Sequence, residues 1–208
     1  MTGEAGTGVC SKMETVRLHV VAATPSAADF HRIASWYRGR RQRTHKTFSG
    51  AFDLPRLQFD DKARFLEALR IAVYGAYLAS YIQDFNLIEA ADRESKWCID
   101  YGAVWQIWRA GASYRPTTYS RCWNRCSRAT RAVTDSINLL FECKLAEDLE
   151  KAQPALKKVV LACVEAENIA LTFSASLEYI KYISSVGSYI HPLGSHRPPF
   201  LLLHLGFR

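Results

Sequence analysis

Between Pro55 and Pro116 the chain contains no proline, and no other feature restricts its fold as much. The middle of that interval, Ile71-Ala-Val-Tyr-Gly-Ala-Tyr-Leu-Ala-Ser-Tyr-Ile82, is apolar nearly all the way round a helix. A helix that is apolar on every side has to be surrounded by neighbours. The pattern therefore predicts a central buried helix. Asp60 or Asp61 is placed to cap its start by accepting from unpaired first-turn N–H groups, and the helix should run to about Asp92. Phe65, Leu69, Val73, Ala76, Tyr77, Ser80, Phe85, Leu87 and Ile88 follow a 3.6-residue period with some drift. At 1.5 Å per residue such a helix is roughly 45 Å long, enough to form the spine of a domain. The small residues Gly75, Ala76, Ala79 and Ser80 would let other helices approach it closely.

Shorter helices are expected around this spine. Ala27–Tyr37 has Phe30, Ile33, Ala34 and Tyr37 at helical spacing, with Ser26 as N-cap after Pro25. Asp100 should cap a helix to about Ala110 with Val104, Ile107 and Trp108 inward. Residues 117–136 are poorly patterned, and Asp135 opens a short apolar run to Phe141. Cys143–Lys151 reads as a charged, exposed helix. Pro154 suits the first position of a further helix to about Glu167, where Leu156, Val159, Val160 and Cys163 share a face. Thr172 should cap a last helix with Leu177, Ile180 and Ile183 inward. Neither alternating β-branched runs nor a repeat of 20–50 residues is present. The expected fold class is all-α. It divides into an N-terminal helical segment with a basic connector (1–55), a helical core (56–185) and an irregular tail (186–208) containing Pro192, Pro198 and Pro199.

Composition excludes several classes. With 49% apolar and 23% charged residues among 208, the chain can bury a core and is not a disordered tail. Its longest uncharged stretch in the main body, Ile71 to Gln83, is 13 residues, short of the ~20 a membrane-spanning helix needs. The start lacks a basic-then-apolar leader, so the six cysteines are expected as reduced thiols in a cytoplasmic setting. A net charge of +7 keeps an anionic substrate or partner in view.

Most local motifs carry little chemistry. Gly3-x-x-Gly6-x-Gly8 has the wrong order, and no preceding strand, for a dinucleotide cradle. Cys122 and Cys126 lack a second ligand pair at zinc spacing, and His191, His196 and His204 fall in the irregular tail, so no metal site is assigned. The basic run Arg38–Lys46, flanked by Trp36, Tyr37 and Phe48, could contact nucleic-acid phosphates. A solvated helix face or connector is the favoured reading. The strongest constellation is Trp105-Gln-Ile-Trp-Arg-Ala-Gly-Ala-Ser-Tyr-Arg115, an apolar helix end with two tryptophans, a glycine turn and a guanidinium held just beyond. Arg115 could grip a phosphate or carboxylate through paired N–H bonds, or it could be an ordinary surface or ion-pair arginine.

Trp108–Arg115 resembles the Trp-Arg-Gly-Gly-x-x-x-Arg segment of the decarboxylating 6-phosphogluconate dehydrogenases. Phe65–Ile88 is similar to the long central helix of that family's C-terminal domain, and Asp100-Tyr-Gly leads into the Trp-Arg motif as it does there. Ala155–Ala162 and Thr172–Tyr182 resemble the helices that follow, and Gly6-Thr-Gly8 with its spacing to Arg32 matches the family's Gly-Thr-Gly-Lys-Trp region. The likeness covers roughly residues 6–184. It implies an oxidative decarboxylation of 6-phosphogluconate to ribulose 5-phosphate with NADP, in the pentose phosphate route, and a dimer. By the same resemblance Arg115 is the arginine that binds the substrate phosphate.

There are departures. The lysine after Gly-Thr-Gly is Val9 here, and the first glycine after Trp-Arg is Ala110. The coenzyme domain and the segment carrying the catalytic lysine are absent from these residues, so no catalytic or cofactor-binding residue is assigned. Val186–Arg208 does not match the family's tail. The resemblance thus implies a truncated chain, inactive alone, that binds 6-phosphogluconate and forms a homodimer or a heterodimer with a full-length homologue. The alternatives are a non-catalytic helical interaction protein and, less favoured, a basic nucleic-acid-binding helical protein.

Overall fold

Asp61 begins the spine, its carboxylate accepting from the Arg64 N–H at 2.9 Å. The helix then runs unbroken from Lys62 to Ser95. In the computed structural model, which describes residues 7–48, 61–111 and 143–185, seven helices are present among the described residues. They are α1 (Thr7–Arg17), α2 (Ala23–Trp36), α3 (Arg38–Thr47), α4 (Lys62–Ser95), α5 (Tyr101–Gly111), α6 (Cys143–Glu165) and α7 (Leu171–Ser184). No strand occurs among the described residues, and none of their helices is long and apolar enough to cross a membrane. The 34 residues of α4 span about 51 Å.

The core forms where α6, α7 and the start of α2 pack against α4. Leu78 and Ile82 of α4 are fully buried with Leu156 and Val159 of α6, each contributing about 1.5–3 kcal/mol by leaving water. The α4–α6 crossing is close because of Gly75: a Cβ there would lie 2.5 Å from the Ala152 Cβ and 3.3 Å from the Leu156 Cδ1. The small residues of the spine thus do what the sequence suggests. A polar pin crosses the same core. Gln83 accepts from the Thr24 N–H at 2.9 Å through Oε1 and donates to the Thr24 hydroxyl at 2.9 Å through Nε2. That hydroxyl lies 3.2 Å from the Ser176 Oγ. All three residues are buried, so their mutual hydrogen bonds spare the core unpaired polar groups while registering α2, α4 and α7.

Several expectations are corrected. The spine extends to Ser95 instead of Asp92, and ends where Lys96 turns left-handed at φ 56°. Pro154 does not start a helix: it lies inside α6. It removes one backbone donor, a cost of about 3 kcal/mol in a helix interior. Leu145, Leu149, Ala152, Leu156 and Val159, buried along one stripe from both sides of the proline, hold the helix together across it. Neither Ser26 nor Thr172 is a cap. α2 starts earlier, after Ala22, and α7 starts after Ala170, neither with a side-chain cap bond. Thr24 and Thr172 serve packing instead, the Thr172 carbonyl accepting from the Ser176 hydroxyl at 2.8 Å. The Phe30–Tyr37 stripe of α2 does not face the core, because α2 is buried through small residues of its first turns, Thr24 and Ala27. Tyr77 and Ile107, expected inward, are 45% and 69% exposed. Helix α1 was not anticipated behind its glycines, whereas the basic run, read as a solvated helix face or a connector, is an exposed helix. The connector expected at 50–55, the segments expected over 117–141 and the 186–208 tail lie outside the described residues.

Candidate functional site

The Trp-rich segment sits on α5, where one carboxylate caps the helix and a second ties it to the spine. Asp100 caps it, its Oδ1 accepting from the Gly102 N–H at 2.9 Å and the Ala103 N–H at 3.4 Å, as its position predicted. Asp92, near the end of α4, accepts from the Tyr101 hydroxyl at 2.7 Å and from the Ile99 N–H at 3.3 Å. Its backbone carbonyl takes the Lys96 N–H at 2.7 Å. The connection between α4 and α5 turns through left-handed residues at Lys96 and Cys98, which L-residues rarely adopt, so the Asp92 bonds hold a turn that the backbone disfavours. Burial, reinforced by the neighbouring Asp92 carboxylate, pushes the Tyr101 hydroxyl well above its ordinary pKa, keeping it a neutral donor.

An aromatic cluster then sets the rotation of α5. Trp105 is only 4% exposed and meets Tyr81 edge-on at 5.6 Å and Phe85 at 5.7 Å between ring centroids. Trp108 lies 4.8 Å from Phe85 and 5.9 Å from Tyr81. Each pair is worth about 0.5–1.5 kcal/mol beyond its burial, so four of them lock α5 against α4. Trp105 was not among the residues expected inward, although its spacing of one turn from Tyr101 and Trp108 carried the signal. α5 is thus held to the spine through one face, that of Tyr101, Trp105 and Trp108, while Ile107 faces outward. Arg115, the predicted phosphate ligand, lies outside the described residues, four positions beyond Gly111, as do Cys122, Cys126, His191, His196 and His204.

The other end of the expected site is partly visible. Gly8 lies in α1, where a Cβ would come within 2.7 Å of the Asp29 Oδ1. Asp29 is ion-paired with Lys12, whose Nζ stands 4.6 Å above the Phe30 ring. Val9 and Arg32 are exposed. Among the described residues no strand turns through glycines into a helix, so they form no cradle for a dinucleotide pyrophosphate. Nor do they bring together a group of His, Cys, Asp or Glu able to hold a metal ion. Sequence patterns gave no warning of a cleft of about 1040 Å³ among α4, α6 and α7, lined by Val21, Asn86, Leu149, Gln153, Tyr179 and Tyr182. Burial raises the Tyr179 hydroxyl there to about 12.

With this geometry, the chain matches the family described as 6-phosphogluconate dehydrogenase, C-terminal domain, over residues 1–189. It is 32% identical over 177 residues to the decarboxylating 6-phosphogluconate dehydrogenase of Emericella nidulans, covering 85% of this chain and 35% of that protein. To the corresponding protein of Lactococcus lactis subsp. cremoris it is 29% identical over 178 residues, covering 85% and 36%. Its fold is similar to that of Plasmodium falciparum 6-phosphogluconate dehydrogenase, solved in apo form and in complex with its cofactor NADP+ and its substrate 6-phosphogluconate. The TM-score is 0.79 at 24% identity, covering 90% of this chain and 39% of that one. The chain therefore spans about a third of the length of the curated relatives it matches.

Proposed function

The chain belongs to the 6-phosphogluconate dehydrogenase family through its C-terminal domain, and from that premise we propose that it supplies substrate-phosphate binding and a pairing surface to the oxidative decarboxylation of 6-phosphogluconate. In that reaction NADP+ accepts a hydride and CO2 leaves, giving ribulose 5-phosphate. Arg115 is the phosphate ligand. A guanidinium binds a phosphate through two parallel charge-assisted N–H bonds, and the overall charge of +7 favours approach of a phosphorylated acid. The single observation behind this assignment is that α5, the base from which residues 112–115 depart, is tied to the spine by Asp92 and the four-ring cluster. A site held to sub-ångström tolerance needs such a base.

The described helices within 1–55 and 56–185 would act as one unit, since α2 packs on α4 and α7. Pairing, with a second copy or with a full-length homologue, would use the apolar side chains left on the outside of α4, α5 and α6. Leu66, Tyr77, Ile107, Leu161 and Val164 are exposed, and obligate interfaces are richer in such groups than ordinary surface. A cytoplasmic setting is supported by Cys10, Cys98 and Cys163, which are free thiols. The match is to the C-terminal domain of the family alone, and on that ground these 208 residues by themselves should not reduce NADP+. NADP+ reduction by the purified chain with 6-phosphogluconate, followed by absorbance, would overturn that expectation. Co-expression with a full-length homologue tests pairing: the two should co-purify and elute as one mixed species. A chain that stays monomeric in both conditions contradicts the pairing.

A further inference from the structure

Helix α3 takes no part in the fold described above. Its ten residues, Arg38-Gly-Arg-Arg-Gln-Arg-Thr-His-Lys-Thr47, are all exposed, and α3 makes no more than marginal contact with any other helix. It carries five Lys and Arg side chains and a histidine, and no acidic residue. None of those cations is engaged in an ion pair among the described residues; Arg41 donates to the Ser35 carbonyl at 3.0 Å. At 3.6 residues per turn, Arg38, Arg41 and His45 share one side while Arg40, Arg43 and Lys46 share the opposite one. The helix is cationic all round.

Such a helix opposes its own formation. It is shorter than the ~12–15 residues at which isolated helices become marginally stable, has Gly39 in its first turn, and places Arg38 and Arg40 at the end where the macrodipole is already positive. The described residues do not bury it, and opposite charge would supply stabilisation that its own sequence lacks. An apolar face is absent, which argues against insertion into a lipid surface. The ends of the run are aromatic: Trp36 is 42%, Tyr37 54% and Phe48 52% exposed.

We propose that α3, with Tyr37 and Phe48 at its ends, is a docking surface for single-stranded nucleic acid. Phosphates along the strand neutralise the arginines while unpaired bases stack on the flanking rings. Charge on every face suits a flexible strand, which can wrap a projecting helix, better than a rigid duplex, which reaches one side only. Stacking on exposed rings likewise needs bases that are not paired. The proposal concerns a surface remote in sequence from the Trp108–Arg115 segment and stands whether or not that segment binds a sugar phosphate.

The test is fluorescence anisotropy of a labelled oligothymidylate of about 20 nucleotides, longer than a typical ~4–16-nucleotide binding site, with the full 208-residue chain. Five phosphate contacts imply a log–log salt slope of about −3.5, a loss of roughly a hundredfold between ~50 and ~200 mM salt. The Arg40→Gln/Arg41→Gln/Arg43→Gln variant should reduce the slope to about −1.4. All three side chains are exposed, and an unchanged circular dichroism melt confirms that the core is intact. Tyr37→Leu should weaken binding about tenfold at an unchanged slope. Four results would overturn the proposal: no binding at ~50 mM salt, a slope unaffected by the triple substitution, a matching duplex bound as tightly, or polyglutamate or phosphatidylserine vesicles competing as well as the oligonucleotide.

Discussion

Replacing Gly75 by alanine tests the packing that organises the domain. The added methyl would stand 2.5 Å from the Ala152 Cβ and 3.3 Å from the Leu156 Cδ1, whereas carbon atoms pack at about 3.5–4.0 Å. Ala152 is fully buried and has no rotamer to escape into, so α4 and α6 must separate by about 1 Å at their crossing. Overpacking of this kind costs about 1–3 kcal/mol. Alanine's better helix propensity returns about 1 kcal/mol. The net expectation for Gly75→Ala is a loss of up to about 2 kcal/mol, which for a chain of this size lowers Tm by up to roughly 8 °C. Ala152→Gly removes the methyl that would collide. Alone it is destabilising by about 1 kcal/mol from propensity, but combined with Gly75→Ala it should recover stability, with a coupling of about 1–2 kcal/mol in the urea-unfolding double-mutant cycle. A Gly75→Ala chain at least as stable as the parent, or additive behaviour of the pair, would refute the close crossing.

Three further perturbations address other parts of the fold. Burial raises the Asp84 carboxyl to about 6 from an ordinary value of about 3.9. Between those values the folded chain holds a proton that the unfolded chain releases, so the Asp84 contribution is complete below about pH 4 and lost as pH rises through about 6. Asp84→Asn should then be more stable than the parent at pH 7 by about 2–3 kcal/mol, with the gain vanishing near pH 4. Urea midpoints at the two pH values decide it, and a gain equal at both would refute the assignment. Gln83→Ala leaves the buried Thr24 N–H without its acceptor and opens a cavity, for a loss of about 2–4 kcal/mol in chemical denaturation. Asp92→Ala frees Ile99 and Tyr101 and should cost about 1–3 kcal/mol. Because α5 is then held by its rings alone, tryptophan emission should shift to the red before the global unfolding transition.

What the sequence could reveal follows from how each feature is stabilised. The spine was legible because residues 71–82 leave a helix no polar face, and Asp61 and Asp100 were legible because capping is a local bond between a side chain and a nearby N–H. Pro154 was misread because its local preference for a helix start is outweighed by a tertiary stripe, Leu145 to Val159, that buries both sides of it. The Phe30–Tyr37 stripe had the right period and the wrong partner: the core reaches α2 only at its small first-turn residues, which carry no hydrophobic signal. Gln83 was not in the expected inward set, yet it is fully buried because Thr24, 59 positions away in the chain, satisfies both ends of its amide. For the candidate site, the helix that carries the Trp105–Trp108 pair was legible from its cap and spacing. The Asp92 clamp was not, since a left-handed turn at Lys96 and Cys98 leaves no trace in periodicity.

The central claim is that Arg115 recognises the phosphate of 6-phosphogluconate, and calorimetric titration of the purified chain tests it most directly. The parent chain should bind 6-phosphogluconate more tightly than gluconate, and Arg115→Ala should weaken the phosphorylated ligand by roughly tenfold to a hundredfold, the value of a charge-assisted hydrogen bond, while leaving gluconate unchanged. Equal affinity for the two sugar acids in the parent chain, or an Arg115→Ala variant that keeps the preference, would contradict it.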